Sequence, residues 1–180
     1  WRGLTMPNWC DNSITIESTK EIIAEMMQAI EAKQFLQYLR PMPKELENTV
    51  ADGKSAMDWY TWRVENWSTK WEVDAEIASS SDTSIQMYFQ SAWGPPINAY
   101  DHFHDAMIEK DIPIDIQADY IEWGMMFCGF WENGEETHYS IPETEELAKE
   151  MIPEETLDHF GILEEIDSWE ELEMDHADDV

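Results

Sequence analysis

Asn12-Ser13-Ile14-Thr15-Ile16-Glu17-Ser18-Thr19-Lys20-Glu21 changes its period halfway along. Ile14 and Ile16 alternate with Ser13, Thr15 and Glu17, as a half-buried strand requires. Ser18-Thr19-Lys20-Glu21 then reads as a capping box, and Ile22, Ile23, Met26, Met27 and Ile30 recur at helical spacing to about Lys33. A strand over 12–17 followed by an amphipathic helix therefore opens the fold. Working outward, Val73, Ala75 and Ile77 alternate with Glu72, Asp74 and Glu76. After a turn at Ser79–Thr83, Ile85, Met87 and Phe89 alternate with Gln86, Tyr88 and Gln90, which predicts a hairpin. Pro95-Pro96 opens a helix carrying Ile97, Tyr100, Phe103, Met107 and Ile108 as far as about Lys110. Ile114, Ile116, Ala118 and Tyr120, set against Asp115, Gln117 and Asp119, predict another strand.

Strand, helix, strand, strand, helix, strand is the order of an α+β, ferredoxin-like split βαβ sandwich. Residues 35–71 are an insertion in it. Phe35–Leu39 is expected as a short strand stopped by Arg40-Pro41-Met42-Pro43, Asn48–Lys54 as a loop, and about Met57 to Asn66 as a helix. A further hairpin, Met125–Trp131 and Thr137–Ile141, turns at Asn133-Gly134, which suits a type I′ turn. Pro142, Pro153 and Gly161 then punctuate three short helices. Their apolar stripes, Leu147, Ala148 and Met151, then Leu157 and Phe160, then Ile162, Ile166, Trp169 and Leu172, are expected to lie on the body, with disorder only from His176. The organisation is thus a domain over 1–141, with its insertion, and an acidic helical extension over 142–180.

The chain has 180 residues and is 43% hydrophobic, enough for a real core. Its 10 basic and 40 acidic residues give a net charge of −30, which excludes direct grip on DNA, RNA or an anionic membrane. No apolar run reaches the roughly 18 residues of a membrane span, and no signal-peptide layout is present, so a cytoplasmic protein is expected. The charge is lopsided: residues 1–70 hold 10 acids and 8 bases, residues 71–180 hold 30 acids and only Lys110 and Lys149. Helices covering one sheet face would leave the other open, with Thr15, Glu17, Glu72, Asp74, Glu76, Gln86, Gln90, Asp115 and Asp119 pointing outward. Single-strand RNA binders of this topology present aromatic and basic residues there; this chain presents carboxylates. Residues 143–180 add 16 acids in 38 residues. Drawn out as helix, that is one per about 3.6 Å of axis, against one phosphate per about 3.4 Å along a DNA strand. The charge reads either as a solubilising surface or as a stand-in for a polynucleotide.

Catalytic chemistry has little purchase. Among 40 acids no carboxylate pair stands out. His102 and His104 diverge on a helix, and Asp101 with Asp105 reads as a solvated helix face. Cys10 and Cys128 lie in no CxxC and no nucleophile signature, and both are expected to be reduced and buried. No glycine-rich phosphate loop occurs, so neither cofactor nor metal is implied. Ten tryptophans are a heavy load. Trp59, Trp62, Trp67 and Trp71 of the insertion read as a compact aromatic core or, alternatively, as a platform for a sugar or a peptide.

Met6-Pro7-Asn8-Trp9-Cys10-Asp11-Asn12, Arg40-Pro41-Met42-Pro43, Glu65-Asn66-Trp67-Ser68-Thr69-Lys70-Trp71 and Ala92-Trp93-Gly94-Pro95-Pro96 occur in that order. Over about residues 6–141 the chain resembles the YubB-like family of phage- and plasmid-borne proteins with a ferredoxin-like domain. The resemblance implies a mobile-element origin, places the family's usual start at Met6, and brings no catalytic residues with it. The expected function is therefore a non-enzymatic, nucleic-acid-mimicking inhibitor of a basic, nucleic-acid-binding host defence protein. Its expected contact residues are Glu72, Asp74, Glu76, Asp115, Asp119, Glu145, Glu146, Glu154, Glu155, Glu164, Glu165, Glu170 and Glu171.

Overall fold

Trp9–Ser18 forms the central strand β1, which buries Cys10, Asn12, Ile14 and Ile16 on one side. The computed structural model describes residues 8–51 and 58–168. Helix α1 (Lys20–Glu31) follows at once and lays Ile22, Ile23, Met26 and Ile30 on the sheet. Its cap is Thr19, whose hydroxyl accepts from the Ile22 N–H at 3.4 Å. Ser18, the expected cap, closes β1 instead and donates its hydroxyl to the Pro113 carbonyl at 2.7 Å.

Phe35–Leu39 is helix α2, not the expected strand. Phe35, Leu36 and Leu39 share the buried side of a single turn. The orphan N–H groups of Leu36 and Gln37 are met by the Glu72 carboxylate at 2.7 and 2.9 Å. A cap supplied from so far along the chain is invisible to local periodicity. Helix α3 (Trp59–Trp67) is capped by Asp58, which accepts from the Thr61 N–H at 2.8 Å. Part of the expected 48–54 loop and the start of the expected 57–66 helix lie outside the described residues.

The hairpin forms as β2 (Glu76–Ser80) and β3 (Ser84–Ala92). β2 starts at Glu76, four residues after the expected Glu72, because Glu72 is held at the α2 terminus and Val73 is buried in the core. Helix α4 (Ile97–Glu109), β4 (Ile114–Glu122), β5 (Phe127–Glu132) and β6 (Glu135–Ser140) complete the sheet. Asn133 and Gly134 both have positive φ, 48° and 96°, as a type I′ turn needs. All six strands are antiparallel, in the order β2-β3-β1-β4-β5-β6. The molecule is thus a mixed α+β fold built on one six-stranded sheet.

One face of this sheet carries the main core, with α1, α2 and α4 packed on it and Trp67 and Trp131 fully buried there. The other face was expected to be open, and half of it is not. Helices α5 (Glu145–Met151) and α6 (Glu154–Phe160), with a third helical segment over 162–168, fold back onto it. There Ala148, Ile152, Leu157, Ile162 and Ile166 form a second core with Ile121, Cys128 and Ile141. Gly161 ends α6 at φ 61°, the left-handed turn that redirects the chain. Leu147 and Met151, expected to face the body, are 46% and 55% exposed, because the seven-residue α5 offers the sheet its Ala148–Ile152 side instead. Trp169 and Leu172, the residues from His176 onward, and the acids Glu170 and Glu171 lie outside the described residues. No helix among the described residues is long and apolar enough to cross a membrane.

Candidate functional site

Strand alternation places Asp11, Ser13, Thr15 and Glu17 of β1 on the second face of the sheet. The register carries that face across the neighbouring strands in rows. Glu76, Tyr88, Ser13, Asp119 and Phe130 are successive cross-strand partners from β2 to β5, and Gln90, Asp11, Ile121 and Cys128 form the next row. Where the C-terminal helices stop, the members of these rows on β2, β3, β1 and β4 line a groove of about 700 Å³. The chain at 72–76 walls one side, His159 and Phe160 of α6 wall the other, and Trp9 stands beside it.

Each carboxylate in the groove is held differently. Glu72 accepts three backbone N–H groups, from Leu36, Gln37 and Val73, while burial still pushes its carboxyl above the usual range. Asp74 meets the Lys33 ammonium at 2.8 Å, with both side chains largely in solvent. Asp11 accepts from the Gln90 amide at 2.8 Å. Asp119 lies 3.5 Å from His159 Nε2. Burial raises the Asp119 carboxyl, and His159 offsets this in part. Glu76 is exposed, and its carboxylate makes no hydrogen bond or ion pair with another described residue.

The Asp119 shift carries a sign. A carboxyl whose folded pKa lies above its unfolded value adds stability below the unfolded pKa and loses it as pH rises through the folded one. At neutral pH the Asp119 charge therefore opposes folding. Asp119→Asn is expected to match or exceed the parent in urea denaturation at pH 7, with the difference vanishing at pH 3. An Asn variant much weaker at pH 7 would show instead that the contact with His159 outweighs the burial.

Four of the expected contact residues, Glu72, Asp74, Glu76 and Asp119, meet in this groove. The others do not join them. Asp115 sits by the β5–β6 turn and accepts from the Asn133 amide at 2.6 Å. Glu145 pairs with Lys149 within α5. Glu146, Glu154, Glu155, Glu164 and Glu165 are exposed along the C-terminal helices. The insertion tryptophans form no single platform. Trp67 is buried and donates to the Arg40 carbonyl at 2.8 Å, and the Arg63 guanidinium lies over the rings of Trp59 and Trp67 at 5.3 and 4.8 Å. Trp62 packs edge-on against Trp67, 5.9 Å between centroids. Trp71 is turned outward, 6.0 Å from the ring of Trp9.

Comparison of the chain with family models, with curated proteins and with solved structures finds no match. The chemistry must therefore be read from the groove itself. Sequence reasoning missed Asp11, Trp9 and Tyr88 as site residues. Asp11 continues the Ser13–Thr15–Glu17 alternation by one more step, a signal lost by starting the strand at Asn12. His159 and Phe160 arrive only through docking of α6, which no local pattern reveals. Among the described residues no group of three His, Cys, Asp or Glu side chains is arranged to hold a metal. Burial pushes the Cys128 thiol up to about 11 and the Cys10 thiol higher still, so neither is a ready nucleophile.

Proposed function

We propose that the protein is a non-enzymatic inhibitor of a basic nucleic-acid-binding protein, occupying that partner's polynucleotide site with its own anionic surface. One observation carries this reading: the negative charge is displayed, not neutralised within the fold. Acids outnumber bases 40 to 10, and among the described residues only Lys20–Asp82, Lys33–Asp74 and Lys149–Glu145 pair a lysine with a carboxylate. Such a surface draws in a cationic groove and repels DNA itself. The order β2-β3-β1-β4, with α1 and α4 on one face, supports a ferredoxin-like sandwich extended by the β5–β6 hairpin. The resemblance to YubB-like proteins supports a phage or plasmid origin and action in a host cytoplasm. The sugar- or peptide-platform reading loses ground, because Trp67 is core and Trp59 and Trp62 are engaged with it and with Arg63.

The test is binding of the full chain to basic nucleases and defence complexes, measured by calorimetry at low and high salt with and without duplex DNA. Affinity is expected to fall at least roughly tenfold between about 50 and 200 mM salt, and DNA is expected to displace the chain. Binding that ignores DNA would sink the reading.

A further inference from the structure

We infer that the groove is a socket for an arginine-bearing segment of the partner, with Trp9 and Tyr88 as stacking surfaces and Glu76 and Asp11 as its anionic jaws. The inference rests on the proposed capture of a basic protein and names what that capture recognises. Glu76 and Tyr88 are cross-strand partners, so their side chains stand about 5 Å apart at Cβ on one face. On the other side of the Tyr88 ring, Asp11 pairs in register with Gln90 and is diagonal to Tyr88. The ring is thus flanked by two carboxylates, one without any described partner and one accepting a single amide hydrogen bond. Trp9 and Tyr88 are 42% and 50% exposed beside the cavity, which leaves part of each ring available to a partner.

One of the chain's own cations already lies against aromatic rings next to the groove. Lys70 lies between Trp71 and Trp93, 3.8 and 4.1 Å from their ring centroids, and Trp71 adjoins Trp9. Trp9 and Tyr88 line the groove itself, and no cation of the described residues lies over either ring. A guanidinium suits that setting better than an ammonium. It is planar and weakly hydrated, it stacks on an aromatic face, and it still presents paired N–H groups to a carboxylate in its plane. A volume of about 700 Å³ admits a short peptide segment and not merely one side chain. Charge complementarity assigns it to a basic partner in preference to a second copy of this acidic chain.

Calorimetric titration of the full chain with a short Gly-Arg peptide, and with its Gly-Lys counterpart of equal charge, tests the socket. The arginine peptide is expected to bind about tenfold more tightly. Trp9→Ala and Tyr88→Ala, which leave the net charge unchanged, are each expected to weaken it roughly 3- to 10-fold. Glu76→Gln is expected to weaken it similarly, whereas Glu109→Gln, exposed at the end of α4 on the opposite side of the sheet, leaves it nearly unchanged. All the replaced side chains are exposed, and a thermal melt confirms that each variant is folded. Equal binding of the two peptides overturns the socket, as does indifference to both aromatic replacements. So does a dimer in sedimentation that Trp9→Ala dissolves, since that gives the groove to a second copy. The two readings fail separately. If the socket alone is wrong, a basic nuclease is still captured and still displaced by DNA in the Trp9→Ala protein. If mimicry alone is wrong, the arginine peptide still binds more tightly than the lysine peptide, and DNA fails to displace the chain from a basic nuclease.

Discussion

Replacing Gly129 with alanine is expected to destabilise the protein by about 3 kcal/mol or more, and to do so by displacing β5 from its neighbours. Gly129 lies between Tyr120 of β4 and His138 of β6 in the sheet register. A methyl group there would stand 2.4 Å from the Thr137 carbonyl oxygen, 2.4 Å from the Tyr120 hydroxyl and 2.6 Å from Tyr120 Cζ. None of these neighbours is the loose end of a flexible side chain. The carbonyl belongs to β6. The Tyr120 ring is buried, its hydroxyl donates to Glu136 at 2.6 Å, and it packs against Phe127 with 6.1 Å between centroids. Absence of a side chain on β5 is what lets the tyrosine lie across the strand and reach Glu136 on the far side. Urea denaturation followed by far-ultraviolet circular dichroism measures the loss as a lowered midpoint. If Gly129→Ala unfolds at the parent's midpoint, the ring and the strand are free to part, and the tight account of this corner is wrong.

What could be read in the sequence, and what could not, divides along the range of the forces involved. Helix α4, the Asn133-Gly134 turn and the middle of strand β1 follow from periods and turn chemistry carried within a few residues, although β1 begins at Trp9 and not at Asn12. Phe35–Leu39 went the other way because five residues with four apolar members fit a strand or a helical turn equally. The deciding partner, Glu72, arrives from beyond α3. Residues 72–75 show the same conflict, since an alternation that looks like strand is spent on a cap and a core contact. For the site, alternation alone brought out Glu76 and Asp119, but it gave no reason to prefer them to Asp115, which faces the same side at the other end of the sheet. The selection is made by α6. By covering one half of that face it turns an open carboxylate surface into a bounded groove, and the residues that cover it are apolar stripes in the most acidic part of the chain.

That dependence predicts the second large effect. Leu157→Asp puts a carboxylate, with no cation to meet it, into the second core between α6 and Ile121, Cys128 and Ile141. Leu157 is only 3% exposed, so the charge cannot reach water without the helix leaving the sheet. Burying it would cost several kcal/mol, roughly 4, which a seven-residue helix held by a handful of aliphatic contacts does not withstand. The helices over 145–168 are therefore expected to undock while the main core, on the opposite face, stays folded. Limited proteolysis reads this directly: cleavage should concentrate after Ile141, with the sheet protected. Retention of parental resistance across 142–168 would show that these helices are held by something other than the apolar seam. The same variant separates the two halves of the groove. Trp9 and Asp11 belong to β1, Tyr88 to β3 and Glu76 to β2, so none of them is carried by α6. Preference for the arginine peptide should therefore survive in Leu157→Asp even though the His159–Phe160 wall is gone. Loss of that preference would move the recognition to α6 and make the docked acidic helices part of the binding surface itself.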